Sequence, residues 1–427
     1  MRIWLVTVGE PLPIDREGKR LLRAGMLAET LVARGHSVVW WTSTFFHARK
    51  YQRYASDTEV AVWDRCKLKL LYAPAYSTNT SIVRLWHHVL LGQKFRRACE
   101  EEPRPDLVVC SLPLIELSLS SAEYGAKHSV PAIIDIRDLW PDQWLLGVAP
   151  GLRSFIWPLL WWYRASVRRA CRLACALTAV SDTYLQWGLR HAGRERSELD
   201  RVFPLGYDEA SMLEFSGDDS LDALDDEIRR RFSIPSDSLV LCFSGTMGLS
   251  YDLDTVIDAA RLLQNKGEDR VRIVIAGDGD AAARLRKKSE GLRTVVLTGW
   301  LGPRELWGLL KTSSVGLAPY VRDTLQTLPN KIFEYMAAGL PILSSLRGEC
   351  EQMLMDEGIG VSYQAGDAES LADAIQRLLK NPAVVKEMAN RARKLFQSRF
   401  SAQVVYPAYA EYLEGIAAKY CAEPKKS

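Results

Sequence analysis

Short, continuously apolar runs recur along this chain, each followed by a loop and then by a segment with apolar residues at helical spacing. Ile3–Val8 is the first, and no alternation of polar residues interrupts it. A strand of that kind is buried on both faces, which is the state of strands in a parallel sheet covered by helices. The loop 9–19 carries Gly9, Pro11, Pro13 and Gly18, and Arg20–Arg34 then repeats Leu21, Leu22, Met26, Leu27 and Leu31 along one helical face. Gly35 ends that helix and Ser37–Thr42 is the next strand. Strand, loop, helix and strand in this order make a parallel crossover. Similar strands are expected at Lys67–Tyr72, Asp106–Cys110, Val130–Ile136, Ala174–Val180 and Arg201–Leu205. The pattern restarts at Leu239–Phe243 and continues through Val271–Ala276, Thr294–Leu297 and Val315–Ala318, so a second parallel sheet is expected. The fold class is α/β, with two doubly wound parallel-sheet domains. A chain of 427 residues is long enough for both. The boundaries are read as 1–208, a linker over 209–237 with one short helix, 238–400, and a C-terminal helical segment 401–427 that packs back toward the first domain.

Ligands of doubly wound sheets sit beyond the carboxyl ends of the strands, so the loops there carry the candidate residues. In the second half, Ser244-Gly245-Thr246-Met247-Gly248 follows one strand and precedes a helix, Leu253–Gln264. Amides of small residues at such a turn can face a phosphate, aided by the helix N-terminus. Gly277-Asp278-Gly279 repeats the layout after the next strand. LPNKIFEYMAAGLPIL (328–343) reads as a helix over Lys331–Ala338, stopped by Gly339 and followed by a strand from Pro341. Glu334 is the carboxylate in that otherwise apolar helix. Either a ribose diol is its partner, or it is a salt-bridged residue on a solvated face.

In the first half, DIRDLWPDQW gathers Asp135, Arg137, Asp138 and Asp142 around a strand end. Asp138 is read either as a carboxylate facing the ligand or as the cap of the turn before Trp140-Pro141. His36, at a helix end, is expected to satisfy carbonyls there. Ile82–Glu102 is a basic and aromatic helix. Phe155–Arg172 sets Trp157, Trp161, Trp162 and Tyr163 ahead of Arg164, Arg168, Arg169 and Arg172. Rings at headgroup depth and cations on anionic lipid suit a membrane interface, which is favoured over a core-facing stripe because one helix face cannot bury so many large rings.

Composition narrows the classes. A net charge of +3 is too balanced to favour nucleic acid as a partner. Eight cysteines without CxxC pairs suit a reducing compartment; Cys171 and Cys175, one helical turn apart, read as small core residues. MRIWLVTVGE reads as a first strand and not as a signal peptide, and no apolar run approaches a membrane span. There is no GxGxxG dinucleotide fingerprint and no metal-ligand cluster.

Taken in order, ARGHSVVWWT, DIRDLWPD, TAVSDTYL, FPLGYD, FSGTMGLSYDLDTVIDAA, VIAGDG and NKIFEYMAAGLPIL resemble the retaining, nucleotide-sugar-dependent glycosyltransferases of the GT-B fold, in the large family numbered four. The RDLWP and PNKIFEYMAAG variants look most like bacterial transferases that build O-antigen, capsule and exopolysaccharide repeats. The resemblance implies two Rossmann-like domains facing a cleft, the first for the acceptor and the second for the donor. It implies transfer of a sugar, an N-acetylated hexosamine or deoxy-hexosamine, from a UDP-linked donor to a polyprenyl-diphosphate-linked or glycan acceptor. Transfer would occur with retention at the inner face of the cell membrane, without a metal or other cofactor. Glu334 matches the glutamate that holds the donor ribose, Asn330 and Lys331 lie beside the diphosphate, and Gly245, Thr246, Gly277 and Asp278 line the nucleotide pocket. Gly18 belongs to the loop over the donor. Asp138 and Lys331 are the implied catalytic residues. Trp161, Trp162, Arg164 and Arg168 are expected at the acceptor or membrane.

Three departures stand out. Gln326 lies eight positions before Glu334, where the family carries a second glutamate. The Arg and Lys usual after the second domain's first strand are absent from GTMGLSYD, leaving Lys331 or Arg322 to supply the charge. Leu205-Gly206 stands for the family's Asn-Gly. Other readings are a UDP-sugar 2-epimerase on the same fold, a non-catalytic partner subunit, and a peripheral membrane protein without a nucleotide site.

Overall fold

A computed structural model of the chain describes residues 1–15, 20–78, 81–148, 151–152, 155, 157–209 and 221–422. It divides into two compact units, Met1–Pro204 with Val405–Ser427, and Leu205–Val404.

The first unit is built on an eight-stranded sheet. Its strands are β1 (Arg2–Val6), β2 (Ser37–Ser43), β5 (Thr58–Trp63), β6 (Cys66–Leu71), β7 (Leu107–Leu112), β8 (Ala132–Ile136), β9 (Ala176–Ala179) and β10 (Arg201–Val202). The short strands β3 (Phe45–Phe46) and β4 (Tyr51–Gln52) form a separate antiparallel pair. The sheet order is β10-β9-β8-β7-β1-β2-β6-β5, parallel except for the edge strand β5, which runs antiparallel to β6. The chain leaves β1 toward β2 and returns on the other side at β7, so the sheet reverses its order between β1 and β7. Trp4, Trp40 and Trp41 are buried in the central strands, and Trp41 packs edge-on to Trp4 and to Phe95 of the helix Ile82–Glu101.

The C-terminal helix, Ala402–Ala422, contributes its residues from Val405 onward to this unit. Tyr409 stacks on Phe203 with centroids 4.2 Å apart, and its hydroxyl meets Thr178 Oγ1 at 2.8 Å. Glu414 receives Arg34 and His36, the latter at 2.7 Å. His36 therefore bonds a carboxylate from this helix, where the sequence suggested carbonyls at its own helix end.

The second unit carries a six-stranded, wholly parallel sheet in the order β13-β12-β11-β14-β15-β16. The strands are β11 (Leu239–Ser244), β12 (Val271–Ala276), β13 (Val295–Gly299), β14 (Val315–Ala318), β15 (Ile342–Ser344) and β16 (Gly360–Ser362). The order reverses between β11 and β14. Helix Leu221–Phe232, expected as the short helix of the linker, buries Leu224 and Ile228 in the same core as Trp307. That part of 209–237 is packed structure, and 210–220 lies outside the described residues. Leu224 and Ile228 press so closely on Gly308 that a Cβ there would stand 2.8 Å from Leu224 Cγ.

Candidate functional site

The reversal between β11 and β14 places two features together: the loop after β11 and the helix Asn330–Ala338, which follows β14. Tyr335 fixes that helix. Its ring lies over Gly316 of β14, where any Cβ would overlap it. Its hydroxyl is 3.2 Å from the Cys242 carbonyl and 3.0 Å from that of Leu317, and it accepts from the Ser244 amide at 3.3 Å. One phenol thus ties the helix to both strands of the reversal, its single proton shared between the two carbonyls while its oxygen accepts from Ser244. Gly339 closes the helix in the left-handed region at φ 77°, as its position in the sequence predicts.

Lys331 and Glu334, one turn apart, project from this helix toward the β11 loop. Lys331 is buried and donates to the Ser244 carbonyl; its Nζ lies 4.0 Å from the Phe243 ring centroid and 5.1 Å from that of Tyr251. Burial lowers the Lys331 ammonium to about 8, against the opposing pull of Glu334. It remains largely protonated at neutral pH. A Cβ on Gly245 would stand 3.0 Å from this ammonium, so the charge lies directly behind the loop backbone. Glu334 is half-buried and takes two hydroxyl donors, Tyr207 at 3.2 Å and Ser244 Oγ at 3.1 Å. Sequence reasoning missed Tyr207 and Ser244. The signals were there, a tyrosine in FPLGYD and a serine at the strand end in FSGT, but only the fold brings them to one carboxylate.

The two glycine loops lie back to back. Gly245 donates to Ala276 at 3.0 Å, Met247 to Asp278 at 2.8 Å, and Ala281 to Met247 at 3.1 Å. Gly277, at φ 135°, has the Gly245 carbonyl where a Cβ would go; a Cβ on Gly279 would stand 2.7 Å from the Met247 oxygen. Glycine is required at both positions by close approach as well as by backbone angle. Thr246 and Asp278 are exposed at the loop tips, and Asp278 accepts from the Gly279 amide. Asn330 is exposed at the first turn of its helix. Of the donor residues read from the sequence, Gly245, Thr246, Gly277, Asp278, Asn330, Lys331 and Glu334 therefore cluster at the strand ends of one unit. Gly18 lies outside the described residues. Gln326 is half-buried, its backbone N–H donating to Thr324 Oγ1 at 3.2 Å, and Arg322 reaches the Ala365 carbonyl at 3.5 Å.

In the first unit, the three aspartates after β8 separate in role. Asp135 is buried in a two-bond pair with Arg23 and accepts from Thr178; burial opposes its charge, but Arg23 holds it below the ordinary carboxylate range. Asp142 accepts from Trp187 Nε1 at 2.8 Å and faces Arg164 at 3.1 Å. Asp138, half-buried, accepts from the Leu139 amide at 3.0 Å, and the Gln143 carboxamide, in the orientation that satisfies both groups, donates to it as well. Burial raises the Asp138 carboxyl to about 6, against the pull of Arg84 and Arg137. It caps its turn and it is also the carboxylate of this loop tuned toward neutral pH. Glu10 was missed from sequence: it is buried in the loop after β1, accepts from the Ala24 amide at the start of helix Arg23–Ala33, and pairs with Arg137.

Trp161 and Trp162 are about two-thirds exposed, with Trp157 and Phe155 also exposed, and Arg168 is exposed beside them. Arg164 departs from the expectation. Its guanidinium lies 3.5 Å from the Trp157 ring centroid and faces Asp142, so it is held within the protein and is not available to a headgroup. Arg169 pairs with Glu123 at 2.8 Å but stays exposed. Among the described residues, no helix is long and apolar enough to cross a membrane, and no group of three or more His, Cys, Asp or Glu is placed to hold a metal ion.

Two family models match the chain: a glycosyl transferase 4-like domain over residues 22–196 and the glycosyl transferases group 1 domain over residues 238–381, together about three quarters of the sequence. The chain is 26% identical over 241 residues to the alpha-D-kanosaminyltransferase of Streptomyces kanamyceticus, covering 52% of this chain and 61% of that protein. It is 23% identical over 391 residues to the putative colanic acid biosynthesis glycosyl transferase WcaI of Escherichia coli K12, covering 86% of this chain and 91% of that one. Among solved structures, Anabaena HepE in complex with UDP superposes with a TM-score of 0.66 at 16% identity over 97% of this chain and all of that one, a likeness of fold. With two parallel-sheet units and a glycine-loop site at the reversal of the second sheet, the chain belongs to the group 1 glycosyltransferases with a glycosyltransferase 4-like N-terminal domain, a family of GT-B enzymes.

Proposed function

We propose that the chain transfers a sugar from a UDP-linked donor, held by the second unit, to a polyprenyl-diphosphate-linked or glycan acceptor held by the first, with retention at the anomeric carbon. The product would be a surface polysaccharide repeat made at the inner face of the cell membrane. The observation that carries the reading is the grouping of Gly245, Gly277, Lys331 and Glu334 at one sheet reversal, with the Lys331 ammonium directly behind the loop backbone. The relative WcaI, a putative colanic acid biosynthesis glycosyl transferase, supports the pathway. The UDP in the HepE structure supports the nucleotide.

Each residue has a chemical part in this reading. Glu334 accepts hydrogen bonds from the ribose hydroxyls, exchanging Tyr207 and Ser244 for a diol or sharing them with it. Lys331 and the Thr246 amide, on the loop that Gly245 lets pass close by, face the diphosphate, whose negative charge grows as the bond to the sugar breaks. Donors fixed before reaction cost little reorganisation and favour that charge. The departing phosphate oxygen takes the acceptor hydroxyl proton on the face from which it leaves, which preserves configuration. Asp138 orients the acceptor hydroxyl or offsets positive charge on the sugar. Lys331, at about 8, supplies its charge below that pH and progressively less above it.

A 2-epimerase on the same fold is the less favoured reading, since both family models name transferases. The test is a panel of UDP- and GDP-sugars incubated with polyprenyl-diphosphate sugars, followed by release of nucleoside diphosphate and the configuration of the new bond. Acceptor-dependent release from one donor with retention is expected. Interconversion of the free donor without an acceptor would favour the epimerase.

A further inference from the structure

The first unit holds a second group of ionisable side chains, apart from the loops used above except for its neighbour Asp138. His47 and Lys50 lie between β3 and β4, Tyr76 follows β6, and Arg84, His87 and His88 occupy the first turns of helix Ile82–Glu101. His47 Nδ1 is 2.6 Å from the Tyr76 hydroxyl and 3.2 Å from Lys50 Nζ. Lys50 Nζ and the Arg84 guanidinium lie 4.7 and 5.8 Å from the centroid of the same Tyr76 ring, and Arg84 is also 4.6 Å from that of Trp140. His87 Nδ1 donates to the Pro74 carbonyl at 2.8 Å, and His88 packs on Trp140. Two cations thus converge on one phenol, and the imidazoles around them are kept neutral. Burial, then the neighbouring cations, lowers His47 to about 4 and His88 to about 3; burial lowers Arg84, and burial with Arg84 lowers Lys50. Lys50 adopts the left-handed backbone region at φ 57°, which lysine seldom enters, so its ammonium is placed at a conformational cost.

Cations brought together against burial are stabilised by an anion of more than one charge. The same helix says what is attached to that anion. Ile82 is 84% exposed and Trp86 54%, with Val83 between them also exposed, so the turn that carries Arg84 presents apolar surface to solvent. We propose that Lys50 and Arg84, with His47 and Tyr76, form a subsite for the phosphate or diphosphate group of an amphiphilic ester, whose apolar chain lies on Ile82, Val83 and Trp86. The proposal rests on the acceptor reading above, for which it names the recognising residues. The Tyr76 hydroxyl and the Lys50 ammonium would donate to the phosphate oxygens, and Arg84 would offer its planar fork.

The full chain, labelled with ¹³C at its histidines, reports on this site because His47 and His87 lie in it while His36 and His128 lie elsewhere. Inorganic pyrophosphate and farnesyl diphosphate, the latter kept below its micelle concentration, are the probes. Both are expected to move the His47 and His87 signals and leave His36 and His128 in place, with farnesyl diphosphate binding at least about tenfold tighter. Lys50→Asn, which suits the left-handed backbone, and Arg84→Gln are each expected to weaken both ligands about tenfold. Trp86→Ser should bring farnesyl diphosphate down to the pyrophosphate level. The proposal is overturned if neither ligand moves His47 at millimolar concentration, if both cation variants bind as the wild type does, or if the prenyl chain adds no affinity. UDP affinity, measured on the same samples, reports on the second unit; its loss would sink the donor reading and leave this one standing.

Discussion

Glu334 was legible as an awkward carboxylate, and what the structure adds is its two hydroxyl donors, Tyr207 and Ser244, from segments 127 and 90 residues away. Sequence spacing could not have joined them. Gly277 was legible as a loop glycine, but the reason for it is the Gly245 carbonyl lodged against its α-carbon. Gly277→Ala should therefore cost at least about 3 kcal/mol in chemical denaturation and abolish UDP binding. A variant with wild-type stability and affinity would show that the loops do not need to approach so closely. Asp138 carries a pH signature. Its folded carboxyl sits at about 6, above the ordinary 3.8, so the folded chain holds the proton more tightly than the unfolded one. Stability contributed by the protonated form is present below the unfolded value and lost as pH rises toward about 6. Asp138→Asn removes the titration. Its stability relative to wild type should rise between about pH 4 and pH 7, while turnover falls and UDP affinity holds. Parallel stability curves would contradict the burial of that carboxyl, and unchanged turnover its role in transfer.

At the scale of elements, parallel strands and their crossover helices were readable because continuous apolar runs leave few alternatives. Thr58–Trp63 and Ile115–His128 are among the elements that were not readable. Thr58–Trp63 is an antiparallel edge strand with half-buried and exposed residues and none fully buried, and its register comes from pairing with β6. Ile115–His128 is serine-rich, and Ser118 and Ser121 are buried where apolar residues would have signalled a helix. Helix Trp161–Leu173 shows a limit of another kind. Its pattern of rings and arginines was plain, but that Arg164 is turned inward depends on Asp142, which comes from another element. The expectation at this scale is specific to the exposed set. Trp161→Ser with Trp162→Ser and Arg168→Glu should lower flotation with anionic vesicles at least about tenfold, with the melting temperature held. Arg164→Glu should lower the melting temperature, since it sets a second carboxylate against Asp142. Flotation unchanged in the triple variant would remove the membrane role from this helix.

At the scale of the whole chain, each unit has its own sheet and its own order reversal, and the residues read as donor-binding belong to one of them. The alternation of strands and helices dictates that division, and the reversal points follow once strand order is known. The choice of sugar does not follow from the alternation, which carries no information on individual side chains such as Gln326. The central claim is that the reversal between β11 and β14 is a nucleotide site built around Glu334. Calorimetric titration of UDP into the wild type and Glu334→Ala tests it most directly. Loss of a charged hydrogen-bond acceptor to the ribose is expected to weaken UDP by about 10- to 100-fold while the melting temperature of the unliganded chain changes little. Equal affinity in the two proteins, or no UDP binding by the wild type, would contradict it.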